Sequence, residues 1–192
     1  MNTPAHLIFG TAAFAKPDRP YVTTAAIAGA LLPDLSLYLL VGWAMLIQGI
    51  DARIIFDELY FSPAWQGIFA VDNSIPLWGA VLALALWLRA PILMAFAGAG
   101  LLHVVFDLAL HHDDARRHFW PLSDWVFQSP VSYWDGDHYG NIAGPLEIAV
   151  SLALCVVLWR RFRSILARAL IVTAALAEAA PGILFAVMFA GK

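Results

Sequence analysis

The sequence predicts an all-α integral membrane protein, a polytopic helix bundle of about six hydrophobic segments. Three observations predict it. Hydrophobic residues make up 61% of the 192 residues and charged residues only 13%, where soluble domains carry about 25% charged residues. Apolar runs on the scale of the ~20 residues that cross a bilayer recur along the chain, separated by prolines and charged turns. The third observation is a stripe: His103, Asp107 and His111 stand four residues apart at the end of one such run, which places them on one helix face.

The remaining composition sets bounds. A net charge of −3 and the absence of a basic stripe give no reason to expect a nucleic-acid partner. The single cysteine, Cys155, excludes a disulfide within the chain. No soluble appendage, linker or tandem repeat is visible, so residues 1–192 read as one integral domain. No basic region precedes the first apolar stretch, which is therefore expected to be retained rather than cleaved.

Residues 3–15 form a short apolar segment, with Thr3 and Pro4 suited to a helix start and His6 close behind. Residues 21–50 are long enough to cross, with a break expected at Pro33-Asp34, where proline frees a backbone carbonyl. Residues 51–73 read as a polar connection with a short amphipathic piece whose Ile54, Ile55 and Leu59 face the bilayer. Trp65 and Phe69 suit an interface. Asp72, Asn73 and Ser74 cap the next span, Ile75–Trp87. After a tight turn at Arg89, residues 92–110 form the central span, whose small residues Ala97 to Gly100 admit a close helix neighbour. A long aromatic-rich loop follows at 112–142, with Ser123 able to cap a short helix through Phe127. Residues 144–159 and 165–190 are the last spans, with Glu147 opening the first and Glu178 inside the second.

Charge places the ends. Lys16, Arg19, Arg89, Arg160, Arg161, Arg163 and Arg168 fall on one side of the alternating spans. Arg53, Arg116, Arg117 and Lys192 fall on the other. By the positive-inside rule the first side is cytoplasmic, so the N-terminus and both long loops lie outside. The expected location is a bacterial-type inner membrane, crossed several times. In that topology His6, Asp34, the region Asp72 to Ser74, His103, Asp107, His111 and Glu147 come from five segments and converge in the outer half.

Histidine nitrogens with carboxylate oxygens suit a divalent ion such as Zn, Mn or Fe. The expected ligands are His6, Asp34, His103, Asp107 and His111, and such an ion makes water a nucleophile at neutral pH. Asp107 could alternatively orient His103. Asp107, His111 and Glu147 are the candidates for catalytic proton handling. Asp72, Ser74, His112, Asp113, Arg116 and Arg117 are the candidate substrate contacts. Two other classes stay open: a proton- or cation-coupled carrier using Asp34, His103, Asp107 and Glu178, and a non-catalytic scaffold that binds a partner.

The stretches TPAHLIFG with His6 and Gly10, GALLPDLS with Pro33 and Asp34, and GLLHVVFD with His103 and Asp107, followed by Trp120-Pro121-Leu122, sharpen this. In this order the chain resembles the YdjM-like family of inner-membrane metal-dependent hydrolases. Ser36 stands where that family commonly has a second aspartate. Asp72-Asn73-Ser74 stands near the place of its histidine-bearing element, so His111, His112 and Asp113 would have to substitute. The resemblance implies a reaction class. An aromatic lid over a bilayer-facing site suits a lipid or lipid-linked phosphoester, with Arg116 and Arg117 as phosphate contacts.

Overall fold

The structure is a computed structural model that describes residues 1–189, with side chains described through residue 180. Lys192, expected outside, lies beyond the described residues. Among the described residues eight helices follow in order: α1 Thr3–Phe14, α2 Pro20–Leu46, α3 Ala52–Ile54 running on into a π turn at Ile55–Leu59, α4 Pro63–Asp72, α5 Ile75–Trp87, α6 Pro91–Leu110, α7 Gly140–Arg161, preceded by a 3-10 turn at Gly136–His138, and α8 Ile165–Phe189. No strand occurs among the described residues. Proline opens α1, α2, α4, α5 and α6, where its missing N–H would be unpaired anyway.

Four helical stretches are long and apolar enough to cross a membrane: α2, α4 with α5 as one broken helix, α6 and α7. Four among the described residues replaces the expected count of about six. With 12 residues, α1 reaches ~18 Å at 1.5 Å per residue, short of the ~30 Å hydrocarbon core. α8 is not among the four.

The bundle closes on small residues. Ala15, Val22, Ala26, Ala30, Ala95 and Ala99 form a buried cluster that joins α1, α2 and α6. Between helices in lipid, close backbone approach supplies the attraction that hydrophobicity cannot. At Gly29 the backbone of α2 meets the backbone of Phe96 so closely that a Cβ would have no room. The expected role of Ala97 to Gly100 is seen directly: Gly98 lies against Phe14 and Gly100 against Trp78.

Several expectations need correction. α2 runs unbroken through Pro33, although proline leaves the Gly29 carbonyl without its N–H partner; side chains from outside α2 brace the adjoining turns, the Ala30 carbonyl accepting from His103 and the Pro33 carbonyl from Asn73. Residues 63–72, read as connection, are helix α4, capped by Ser62. Ile55 and Phe69 are fully buried rather than facing lipid or interface, since α3 and α4 fold back against the loop after α6. Residues 123–127 form no helix.

The basic turns gather at one end. Arg161 donates to the Ala12 carbonyl at 2.7 Å, and Phe162 packs on the alanine cluster beside Ala15 and Val22. The opposite end carries the polar residues of five segments.

Candidate metal centre

His103 lies on the buried face of α6, with Asp107 one turn further on. His103 Nδ1 donates to the Ala30 carbonyl at 2.7 Å, and its Nε2 lies 3.1 Å from Asp107 Oδ2. From α1, His6 brings its Nε2 to 2.8 Å from Asp107 Oδ1. The two imidazoles stack with centroids 3.4 Å apart and planes 6° from parallel. His6, His103 and Asp107 are all buried, offer one ligand atom each within 4.8 Å of one another, and could hold a metal ion.

The donor pattern favours a cation there. A carbonyl oxygen only accepts, so His103 Nδ1 carries a proton. The neutral ring then turns an Nε2 lone pair toward a carboxylate oxygen. Two acceptors at 3.1 Å repel unless a positive charge lies between them, and only a proton or a metal ion fits. The Ala30 contact is also the kind of outer hydrogen bond that fixes the ring of a metal-binding histidine.

Asp34 reaches this centre from the turn of α2 that holds Pro33. Its Oδ1 lies 3.6 Å from His103 Nε2 and 3.7 Å from Arg116 Nη1, while Oδ2 accepts from the Thr3 hydroxyl at 2.5 Å. His111 caps the end of α6. Its Nε2 is 3.3 Å from Asp107 Oδ1 and its Nδ1 is 2.8 Å from Asp114 Oδ2. The Met1 amino group lies 3.1 Å from Asp107 Oδ1. Beside these groups opens a cavity of about 500 Å³ lined by Asp34, Tyr38, Tyr60, His111, Arg116 and Tyr133, among others.

The loop beyond α6 is held by its own charges. Burial alone would raise the Asp114 carboxyl, but the hydrogen bond and charge of His111 bring it below the usual carboxylate range. Burial pushes His118 down to about 4, so its neutral ring packs beneath the loop and hydrogen-bonds the Asn73 carbonyl at 3.0 Å.

Of the expected ligands, His6, Asp34, His103, Asp107 and His111 come together. Of the expected substrate contacts, Asp113 and Arg116 line the cavity. The other four do not, and each has a local partner instead. Ser74 caps α5 and bonds the Trp120 carbonyl, and the Asp72 carbonyl accepts from Trp78. Arg117 pairs with Asp124 at 3.1 Å. His112 stacks on His138 at 3.5 Å. Glu147 takes the Asn2 N–H at 2.8 Å and is not among the residues that line the cavity.

Sequence reasoning missed Asn73 as an anchor. It is fully buried and holds Arg116 at 2.8 Å and the Pro33 carbonyl at 3.2 Å. Sequence reasoning also gave no role to Asp114, noted only as the end of the stripe, and missed Tyr60 beside the cavity. Asp114 carried a signal, three residues after His111 in the His-His-Asp-Asp run that ends the apolar stretch. Asn73 carried none beyond its place next to a cap. No family model, no curated protein and no solved structure matches the chain.

Proposed function

We propose that this chain is a membrane-embedded metal-dependent hydrolase of the YdjM-like kind, acting on a phosphoester of a lipid or lipid-linked substrate that enters from the extracytoplasmic side. The observation that carries the reading is His103, whose Nδ1 is fixed on a backbone carbonyl while its Nε2 faces Asp107. His6, His103 and Asp107 would hold the ion, with Asp34 and His111 at its edge. When bound, a divalent ion such as Zn, Mn or Fe would supply Lewis acidity and an activated water at neutral pH.

The chain's own residues do the rest. Arg116 is buried between Asn73, Asp34 and the Phe69 ring, 5.1 Å from its centroid. This fixes a positive charge on the cavity wall, and a guanidinium has five donors, enough to keep its anchors and meet a phosphate oxygen. That fixed charge beside Asp34, with Ser36 in place of the family's second aspartate, supports a centre with one ion. His111, braced by Asp114, is the group best placed to move a proton at the cavity. Phe56, Phe61 and Trp134 line the same cavity and are exposed, which suits a substrate that arrives from the bilayer surface.

The same reading places the chain in a bacterial-type inner membrane. The basic turns at 16–19 and 160–163 lie at the end opposite the cavity, which is then cytoplasmic. The test is turnover of phosphodiester and phospholipid substrates by protein purified in mild detergent. Release of phosphate or headgroup that stops on chelation and returns with Zn, Mn or Fe supports the proposal. Metal bound without turnover of any phosphoester contradicts it and leaves the scaffold reading.

A further inference from the structure

A second group of buried polar atoms lies on the other side of α1 from Asp34. Oε2 of Glu147 and Oγ of Ser151 are buried with no hydrogen-bond partner, and the buried Glu178 carboxylate has only the Ala5 N–H of α1 turned toward it, outside full hydrogen-bond geometry. Ser151 and Glu178 are fully buried and Glu147 is 6% exposed. Glu147, Ser151 and Cys155 are spaced by four and share one face of α7.

The packing sets the levels. Cys155 belongs to a cluster that includes Ala174 and Ala175 of α8 and Ile8 of α1. The short connection at 162–164 makes α7 and α8 antiparallel, so one turn back on α7 matches one turn forward on α8. Ser151 therefore comes level with Glu178, and Glu147 stands one turn above. α1 runs beside α7 in the same direction, with the Asn2 N–H on Glu147 Oε1. Glu178 is within electrostatic reach of Glu147 and of Cys155, as this register requires.

Charge does not balance at this place. A helix N-terminus is worth about +0.5 of a charge, and the start of α1 is the dipole that both glutamates face. The Met1 ammonium, held by Asp107 and His111, adds a positive charge within electrostatic reach of both glutamates. Arg168 sits ten residues before Glu178 on α8, ~15 Å away along the axis. Two buried carboxylates so incompletely compensated are neutralised either by protons or by a further cation. Ser151 adds a hydroxyl with nothing else to bind.

We propose that Glu147, Ser151 and Glu178 form a second cation site, separate from the histidine centre, that takes one hard divalent ion of the magnesium, calcium or manganese class. Every donor is oxygen, the set such ions prefer over zinc, and two carboxylates neutralise a divalent charge. The ion would tie α1 to α7 and α8, and so would hold His6 against Asp107.

Equilibrium dialysis with Ca²⁺ tests this on detergent-solubilised protein that has been stripped with chelator and reloaded with one equivalent of Zn²⁺. The expected result is one equivalent of Ca²⁺ bound beside the zinc. His103→Ala keeps it, Glu178→Gln loses it, and Ser151→Ala binds it at least tenfold more weakly. Should Glu178→Gln fail to fold, Ser151→Ala decides alone. No binding of Ca²⁺, Mg²⁺ or Mn²⁺ by the parent protein, or equal binding in the variants, overturns the proposal. Glu178 would then be a protonated carboxyl packed over the start of α1. Neither result depends on whether the chain hydrolyses a phosphoester.

Discussion

Two pairs of stacked imidazoles stand in this molecule, and they differ in what lies between and around their nitrogens. His6 and His103 stack at 3.4 Å inside the bundle, where both Nε2 atoms face the two oxygens of one carboxylate. His112 and His138 stack at 3.5 Å in the loop after α6, where each Nδ1 has its own acceptor, the Ser129 carbonyl for one and Asp135 for the other. The first pair is almost fully buried and the second partly exposed. In the loop, water can satisfy whatever the rings leave free. In the bundle it cannot, so the shared carboxylate makes the stacked pair a place that could hold a metal ion. Stacking alone therefore marks no candidate metal site; burial and a shared third ligand do.

The largest effect that would break this contrast belongs to Asp107. Asp107→Asn removes the charge that both buried rings face, and metal affinity is expected to fall at least a hundredfold, as read by competition with a chromogenic chelator. A fold loss equal to that of His138→Ala would erase the distinction between the two pairs. Next comes Arg116→Met, which leaves Asp34 and Asn73 without their buried partner. Breaking a buried ion pair costs about 3–5 kcal/mol, so a large drop in thermal midpoint in detergent is expected, whereas a merely exposed pair would show almost none.

The contrast in burial was only partly legible in the sequence. The spacing of His103, Asp107 and His111 inside an uncharged run identifies the stripe directly, because a helix has one period and the run one solvent. His6 and Asp34 followed from their positions in separate apolar segments. Asn73 did not, because its role depends on α4 and α5 forming one broken crossing, and residues 63–72 read as a connection. Ser62-Pro63 is a helix-start signal that identifies α4 once it is given its weight. The expected break at Pro33 failed for a related reason: side chains from outside α2, His103 and Asn73, brace the adjoining turns, and no single stretch of sequence shows them.

A smaller effect is set by pH at the loop. His118 has a folded-state value of about 4, below the ordinary ~6.5 of the unfolded chain. Its contribution is present above pH 6.5 and is lost as pH falls toward 4, because the unfolded state takes up the proton first. The loss is on the order of 2–3 kcal/mol, and His118→Gln is expected to flatten the stability profile between pH 6.5 and 4. An unchanged profile would mean that the ring is not held neutral. Smallest of all is His112→Ala with His138→Ala, expected to leave metal content unchanged and thermal stability nearly so.

The most direct measurement is metal content by mass spectrometry on protein purified in mild detergent without chelator, beside His103→Ala, Asp107→Asn and the His112→Ala/His138→Ala double variant. One equivalent of Zn, Mn or Fe in the parent and the double variant, absent from the two single variants while their helix content holds, is the result this account requires. No metal in the parent after incubation with each ion, or metal that stays with His103→Ala and leaves with the loop pair, would contradict it.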